Sequence, residues 1–509
     1  MFTPARVIVL ALFVGLLAVP FAFRPREATI PADALRLVVI TPHNEQIRYE
    51  FGRAFSEWHE ARYGQPVFVD FRAPGGTSEI RKLLVAVYEQ ALKNGQLTAD
   101  GELTVGTMPY DILFGGGAYE HNIIKRGIPT APDAPGTPNL TISIPVPFTT
   151  EQVAEWFGEN LIGADLLYDP DLYWLGVALT SFGIVYNRDV LEQLGLPEPT
   201  TWSDLTDFRY FGWLAMTDPR QSSSVAVTYD SILNNEGWDQ GWRTLRAMCA
   251  NARFFANSSL KPPLEVARAE AAAGPSLDFY GRFQSQALID AGASGQGPRS
   301  RVGYIDPPRI VFINADPISI LRAGPNPEIA ARFVEFTCTL EGQALWQFPA
   351  KGEDAPADAL GPRVYELRKL PGRRLLYDDF RGRFVDKEVQ PFADASTAPI
   401  NGWFRIIERI FGAAAIDIHD EMRAAWAAMH EAQARHADPA LLEAMDRAFF
   451  AFPDHPFPDG TTLSVNPDNI VPILDDWRNP DREPILRMAY TKFFRDQYRE
   501  VLRLAGEAK

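Results

Sequence analysis

Short apolar runs alternate with amphipathic segments in the first third of the chain. The runs LRLVVI (35–40), PVFVDF (66–71) and YDILFGGG (110–117) have the length and composition of buried strands, the last one entering three glycines. Between the first two runs, apolar residues at 47–58 recur at spacings of four and three, which is the spacing of one helix face. Strands that alternate with helices in this way predict a parallel sheet with right-handed crossovers.

The same alternation resumes in the middle of the chain and then changes character. Strand patterns are predicted at 176–187, 211–218 and 308–324, with amphipathic helices between them. Residues 118–172 are rich in Pro and Thr, which favours an extended surface excursion. Beyond about residue 410 the pattern is mainly helical. The chain therefore predicts an α/β body followed by a helical extension.

The N-terminus carries a separate signal. Arg6 precedes an unbroken apolar run at 7–23, which is typical of an export signal or of a membrane anchor. The run of 17 residues is at the short limit for spanning a bilayer, so retention by an uncleaved anchor stays open beside export. We expect the rest of the chain to lie outside the cytoplasm, in the periplasm or on the extracellular face.

Charge and cysteine content exclude several partners. The formal net charge is −16, whereas binding to nucleic-acid phosphates requires a basic face, so no nucleic-acid partner is expected. Cys249 and Cys338 are the two cysteines, and neither belongs to a Cys-x-x-Cys pair, which argues against a thiolate zinc site. We expect both to be buried free thiols.

Catalytic motifs are missing from the sequence. It contains no Gly-x-Ser-x-Gly, His-Glu-x-x-His or Walker loop, and no glycine fingerprint at a strand-to-helix turn. We therefore expect a protein that is not an enzyme. Acidic residues are abundant, so the carboxylate pair of an exported carbohydrate-active hydrolase stays open as an alternative.

Two stretches carry a resemblance, and they are DLYWLGVALTSFGIVYNRDVLEQLGLPEPTTWSDL (171–205) and DPISILRAGPNPEIAARFVEFTCTLEGQALW (316–346). They resemble the type II extracytoplasmic solute-binding proteins of ABC importers, and within that family the ferric-iron and polyamine group. The resemblance covers roughly 35–350. The matching positions of the first stretch are Gly176, Tyr186, Asn187, Leu194, Gly195, Pro197, Pro199, Thr201, Trp202, Asp204 and Leu205.

The resemblance implies two α/β lobes joined by a hinge, with a ligand cleft between them and an ABC permease as partner. Lobe I is expected at 31–180 and 308–345, lobe II at 181–307, and a mainly helical extension packing on the lobes at 346–509. A monomer is expected. A membrane-anchored sensor with the same fold is an alternative, and the excursions near 85–109 and 118–172 depart from the family pattern.

Ligand residues are expected where parallel strands end, because the cleft of an open α/β sheet lies there. In lobe I these are His43 and Asn44 after the first strand, the helix N-terminus at Thr77 and Ser78, and Gly116 in the glycine run. Each has a structural alternative: Asn44 and the hydroxyls as helix caps, His43 as a solvated side chain, and the glycines as a tight turn. The pair Thr180 and Ser181 lies near the expected crossing between lobes.

In lobe II the expected residues are the serines at a helix start, Ser222, Ser223 and Ser224, which suit a ligand oxyanion or a synergistic anion. The stretch SLDFYGR adds Asp278 and Tyr280. By resemblance, Tyr280 matches a metal-binding tyrosine, so ferric iron held by His43 and Tyr280 with a synergistic anion is one expectation. Phe279 stands where the group has a further tyrosine.

A small organic or anionic solute is the other expectation for this cleft. In that case Tyr280 would donate a hydrogen bond and Asp278 would pair with a cationic group. A third possibility is that Tyr280 only packs at a domain edge.

Overall fold

A computed structural model describes residues 34–131, 136–287, 289–290, 299–356 and 358–507. The apolar run predicted at 7–23 lies outside the described residues. Within them, no helix combines the length and the apolar character needed to cross a membrane.

The strands are β1 (Leu35–Ile40), β2 (Val67–Arg72), β3 (Ile112–Phe114), β4 (Ile128–Pro129), β5 (Asn139–Leu140), β6 (Ser143–Ile144), β7 (Leu175–Asn187), β8 (Leu214–Thr217), β9 (Ala252–Ala256), β10 (Ala273–Leu277), β11 (Ile289–Asp290), β12 (Arg299–Ser300), β13 (Val302–Ile305), β14 (Ile313–Leu321), β15 (Leu370–Pro371), β16 (Asp454–Pro456) and β17 (Thr462–Ser464).

The α-helices are α1 (Glu45–Tyr63), α2 (Thr77–Lys93), α3 (Ala118–Arg126), α4 (Thr150–Phe157), α5 (Arg188–Leu194), α6 (Ser223–Glu236), α7 (Trp238–Asn251), α8 (Lys261–Ala267), α9 (Asp278–Ala287), α10 (Pro327–Cys338), α11 (Leu340–Gln347), α12 (Leu375–Asp379), α13 (Pro391–Asp394), α14 (Phe404–Phe411), α15 (His419–Ala434), α16 (Pro439–Phe450), α17 (Ile470–Trp477) and α18 (Glu483–Glu507).

The strands of both lobes form one continuous sheet in the order β2-β1-β3-β14-β7-β10-β8-β9. The first strands β1, β2 and β3 are parallel to one another, and so are β8, β9 and β10. The long strand β7 pairs with β14 through its first half and with β10 through its second, so it passes from lobe I into lobe II. The two-lobed α/β fold predicted from the sequence is confirmed.

The all-parallel expectation needs one correction, because β14 and β7 are antiparallel to each other and to their neighbours β3 and β10. Both strands cross between the lobes, β7 outward and β14 on the return. A return along the same hinge reverses the chain direction, which makes the central pair antiparallel.

The hydrophobic residues divide into two main cores. The lobe I core takes in the packing faces of β1, α1, β7 and α10, and it also includes Trp346, Leu367, Leu370 and Ala395. The lobe II core joins residues 184–273 to residues 406–504 of the helical bundle. Cys249 lies in the lobe II core and Cys338 in the lobe I core, and both are free and buried as predicted.

Candidate functional site

Asp316 is the centre of a buried polar cluster on β14, the strand that pairs with the first half of β7. Its Oδ1 accepts a 2.8 Å hydrogen bond from the N–H of Gly116. Its Oδ2 lies 3.2 Å from Nε2 of His43 and 2.7 Å from Nζ of Lys369. Three segments that are distant in sequence, those of His43, Gly116 and Lys369, therefore meet at one carboxylate. The pairing of β14 with β7 shifts register between Asp316 and Pro317, directly beside it.

Lys369 is the positive charge of this cluster, and its side chain is 0% exposed. Besides Asp316, its ammonium group donates a 2.6 Å hydrogen bond to Oγ1 of Thr180 and lies 4.4 Å from the ring centroid of Phe279. Burial alone would raise the pKa of the Asp316 carboxyl, but the charges of Lys369 and His43 outweigh it and hold that pKa well below its ordinary value.

His43 is held between aromatic rings and the glycine turn. Its ring centroid is 4.6 Å from that of Phe114, in an edge-on arrangement, and its Nδ1 has no hydrogen-bond partner in the described part of the chain. Gly115 has a φ of +90°, and a Cβ there would lie 2.5 Å from the imidazole. The glycine run thus makes room for His43 and aims the N–H of Gly116 at Asp316.

A second polar group continues this cluster into lobe II. Asp306 accepts hydrogen bonds from the hydroxyls of Ser181, at 2.6 Å, and Tyr304, at 2.7 Å. Its other oxygen pairs with the guanidinium of Arg282 on α9. Since β7 supplies both Thr180 and Ser181, this one strand joins the Lys369 group to the Arg282 group.

Asp278 and Tyr280 occupy the first turn of α9, beside these groups. Asp278 is 0% exposed, and burial raises its pKa to about 7, although the charges of Lys369 and Arg282 oppose that shift. Tyr280 is half-buried, and burial together with the nearby Asp316 carboxylate raises its pKa to about 12. The ring of Tyr280 lies 4.1 Å from that of Phe279, which itself lies 4.4 Å from the ammonium group of Lys369.

The remaining predicted residues of lobe I have more local partners. Asn44 caps α1, with its side chain accepting a 3.0 Å hydrogen bond from the N–H of Ile47. Ser78 donates to Glu120 at 3.1 Å. Thr77 stays close to the cluster, because its Cγ2 is 3.1 Å from the position that a Cβ on Gly116 would take.

The predicted serines lie at the start of α6, next to a different set of charges. Ser222 is the N-cap residue and makes no side-chain capping bond. Two residues earlier, Arg220 forms salt bridges with Asp218 and with Asp417 of the helical bundle. Ser223 begins the helix, and Ser224 accepts a backbone hydrogen bond from the hydroxyl of Thr228. Within the described residues, neither Ser222 nor Ser224 is hydrogen-bonded to the Lys369 cluster.

Sequence reasoning missed Lys369, Arg282, Asp306 and the role of Asp316. Asp316 is the Asp of the Asp-Pro step in the second stretch that resembles the family. That match was the feature of the sequence that could have identified it. Lys369 belongs to a segment assigned to the C-terminal extension. Nothing local in LRKLPGRR distinguishes it from a surface lysine.

The cluster offers donors and acceptors for a polar ligand rather than a ready metal site. Among the described residues, no group of three or more His, Cys, Asp or Glu side chains is arranged to hold a metal ion. Nε2 of His43 is already engaged by Asp316, whose same oxygen also meets Lys369.

Comparisons with known sequences agree with this architecture. Residues 152–360 match the model of a family described as bacterial extracellular solute-binding protein. The phosphoglycerate transport regulatory protein PgtC of Salmonella typhimurium is 23% identical over 274 residues, covering 52% of this chain and 59% of that protein. The putrescine/cadaverine-binding protein of Pseudomonas aeruginosa is 28% identical over 173 residues, covering 32% of this chain and 47% of that protein. The chain thus spans about half the length of these curated relatives.

Among solved structures, the periplasmic binding protein P5PA aligns with a TM-score of 0.48 and 16% identity over 75% of this chain and 99% of that one. The apo ferric ion-binding protein A of Pasteurella haemolytica gives a TM-score of 0.48 and 14% identity over 77% of this chain and 98% of that one. The resemblance predicted from the sequence is confirmed: this chain resembles the type II extracytoplasmic solute-binding proteins, and its residues 152–360 match the model of the bacterial extracellular solute-binding family.

Proposed function

We propose that this protein captures a small organic anion between its two lobes, outside the cytoplasm, and presents it to an ABC permease. The observation that supports this most directly is the Lys369 ammonium group, buried where the hinge strands β7 and β14 meet the glycine turn. The proposed action is binding without catalysis, with closure of the lobes around the solute.

The ligand set disfavours the ferric-iron expectation. Nε2 of His43 already contacts Oδ2 of Asp316, and that same oxygen pairs with the Lys369 ammonium group at 2.7 Å, so neither group is free for a metal ion. Phe279 also faces Lys369 in the place of a further tyrosine ligand. We therefore rank the organic anion ahead of iron.

Two helix N-termini add to the attraction for an anion. The N-caps of α2 and α3 are Gly76 and Gly117, and neither has a side chain that could occupy the free N–H groups of the first turn. Both lie beside Gly116, whose N–H donates to Asp316: Thr77 approaches Gly116, and Gly117 follows it directly in the chain. Unsatisfied N–H groups and the helix dipole favour an anion there, whereas the acidic side chains of the two first turns, Glu79 and Glu120, oppose it.

A binding panel tests this function. Full-length protein is titrated with D-3-phosphoglycerate, which the name of one relative suggests, and separately with putrescine and with ferric citrate. We expect phosphoglycerate to raise the melting temperature, because a ligand at 100 times its Kd stabilises the folded state by about 2.7 kcal/mol. Calorimetric titration then gives the Kd.

The Lys369→Gln variant should lose this effect. Lys125→Gln is the matched control, because Lys125 also pairs with a buried carboxylate, that of Asp169, but on α3 and away from the cluster. Stabilisation by ferric citrate or by putrescine, without stabilisation by phosphoglycerate, would contradict the proposal.

A further inference from the structure

Asp278 is a buried carboxyl without the partners that Asp316 has. Neither of its oxygens has a well-formed hydrogen bond within the described residues, although the N–H of Phe279 lies close enough to lower its pKa. The residue is 0% exposed. An unsatisfied buried polar group is costly, and one that persists in a folded protein needs an explanation.

The two cations near Asp278, Arg282 and Lys369, also have hydrogen-bonding capacity that the described residues do not fill. Nη1 of Arg282 has no hydrogen-bond partner in the described part of the chain, whereas Nη2 pairs with Asp306. Lys369 has three N–H donors and, among the described residues, two oxygen partners for them, Thr180 and Asp316. An acceptor without a donor therefore lies in the field of two cations with donors to spare. A hydroxyl group both donates and accepts, so it could donate to Asp278 and accept from Lys369 or Arg282 at the same time.

We infer that Asp278 receives a hydrogen-bond donor of the solute, so that the captured anion also bears a hydroxyl or ammonium group close to its anionic group. This inference rests on the proposed function and narrows it to hydroxy acids, amino acids and hydroxylated phosphate esters. Simple phosphate and unsubstituted carboxylic acids are then poor ligands. A site built to bind a hydroxyl discriminates strongly against the analogue without it, because the buried partner is left unpaired.

The test compares two solutes that differ by one hydroxyl group. The Kd values of D-3-phosphoglycerate and of 3-(phosphonooxy)propanoate, which lacks the hydroxyl, are measured by calorimetric titration on full-length protein. We expect the parent protein to prefer the hydroxylated solute by at least about tenfold. The Asp278→Ala variant should bind the two solutes with Kd values within about threefold of each other, the usual scatter of such contributions.

The ligand-free protein provides a second readout. Since Asp278 is buried without a partner, Asp278→Asn should raise the melting temperature. The rise should be larger at pH 8 than at pH 5. The pKa of Asp278 is near 7 in the folded protein and about 3.9 in the unfolded chain, so ionisation destabilises the fold increasingly between these values. The charged and titratable groups facing it are Lys369, Arg282, Asp306, Tyr304 and Tyr377.

Asp306→Asn is the matched control from the same cluster, because Asp306 is fully hydrogen-bonded, and it should lower the melting temperature. Unchanged discrimination in Asp278→Ala, or a lower melting temperature for Asp278→Asn, would overturn the inference and leave the proposed function standing. Binding of neither solute by the parent protein would overturn both.

Discussion

At the scale of single residues, the site depends on how a buried carboxylate is compensated. Asp316 has an N–H donor, an imidazole and an ammonium group, whereas Asp278 has no well-formed hydrogen bond among the described residues. The pKa values of the two carboxyls shift in opposite directions for that reason: partners outweigh burial at Asp316, and burial prevails at Asp278. The first is suited to holding the site together and the second to meeting a ligand.

Replacing Lys369 by Met should cost the ligand-free protein about 3–5 kcal/mol of unfolding free energy, the usual effect of removing one partner of a buried ion pair. Urea unfolding measures this. Lys492→Met removes one partner of an exposed pair with Asp496 and should cost at most about 1 kcal/mol. Equal losses in the two variants would contradict the assigned role of Lys369.

The same variant should change the response to acid. The pKa of Asp316 is lowered in the folded state, so its contribution to stability is present above the unfolded value near 3.9 and is lost as the pH falls through its folded value. Without Lys369 the folded and unfolded pKa values lie closer together. The unfolding free energy of Lys369→Met should therefore fall less steeply below pH 4 than that of the parent protein.

At the scale of elements, the turn between β3 and α3 shapes the site through its backbone. Gly115 and Gly116 both have positive φ, +90° and +111°, which L side chains rarely adopt. This backbone brings one glycine against the face of His43 and directs the N–H of the next one at Asp316. A turn of these residues therefore positions two polar contacts without contributing a side chain.

Gly115→Ala should lower the unfolding free energy by more than the roughly 1–2 kcal/mol of left-handed strain, because the added Cβ would also lie 2.5 Å from His43. Gly64→Ala is the control. Gly64 has a φ of +75° at the end of α1 and nothing within 4 Å of its Cβ position, so an alanine there adds the left-handed strain without a clash. Chemical denaturation measures the unfolding free energy that each variant loses, and the difference between the two losses is the cost of the clash. Equal losses would show that the contact with His43 contributes nothing.

At the scale of the whole molecule, the helical bundle is continuous with lobe II and also reaches lobe I. Phe411 of α14 stacks on Tyr229 of α6, with ring centroids 4.7 Å apart, inside the shared core. At the other end of α14, Phe404 meets Tyr119 of α3 edge-on, at 5.8 Å. The N-terminus of α3 lies at the proposed cleft, so this contact links the bundle to lobe I beside it.

Phe404→Ala should shift the lobes toward a more open arrangement and weaken binding of phosphoglycerate by about two- to tenfold, since an aromatic pair contributes about 0.5–1.5 kcal/mol. Small-angle scattering of the ligand-free protein should give a larger radius of gyration. Met488→Ala, at a 67% exposed position of the bundle, is the control. A radius and affinity equal to those of the control would show that the bundle does not influence closure.

The sequence by itself determined several of the strands, but not residues 118–172, where an extended excursion was predicted and α3 and α4 are found. The strand predicted at 176–187 is found at Leu175–Asn187, and the one at 35–40 at Leu35–Ile40, because an apolar run between polar segments must be buried whatever surrounds it. The same pattern predicted that His43 and Gly116 lie close together, since the carboxyl ends of parallel strands meet at one edge of a sheet, and both contact Asp316.

The tertiary structure alone decided which charges face each other. Lys369 reaches Asp316 because β15 pairs with β7 in the lobe I sheet, and Asp417 reaches Arg220 because the bundle closes the lobe II core. Periodicity records which face of an element is buried, but it carries no information about which distant charge lies opposite. That choice comes from the packing of whole elements, and here it sets the buried ammonium group of Lys369 against the buried carboxylate of Asp316.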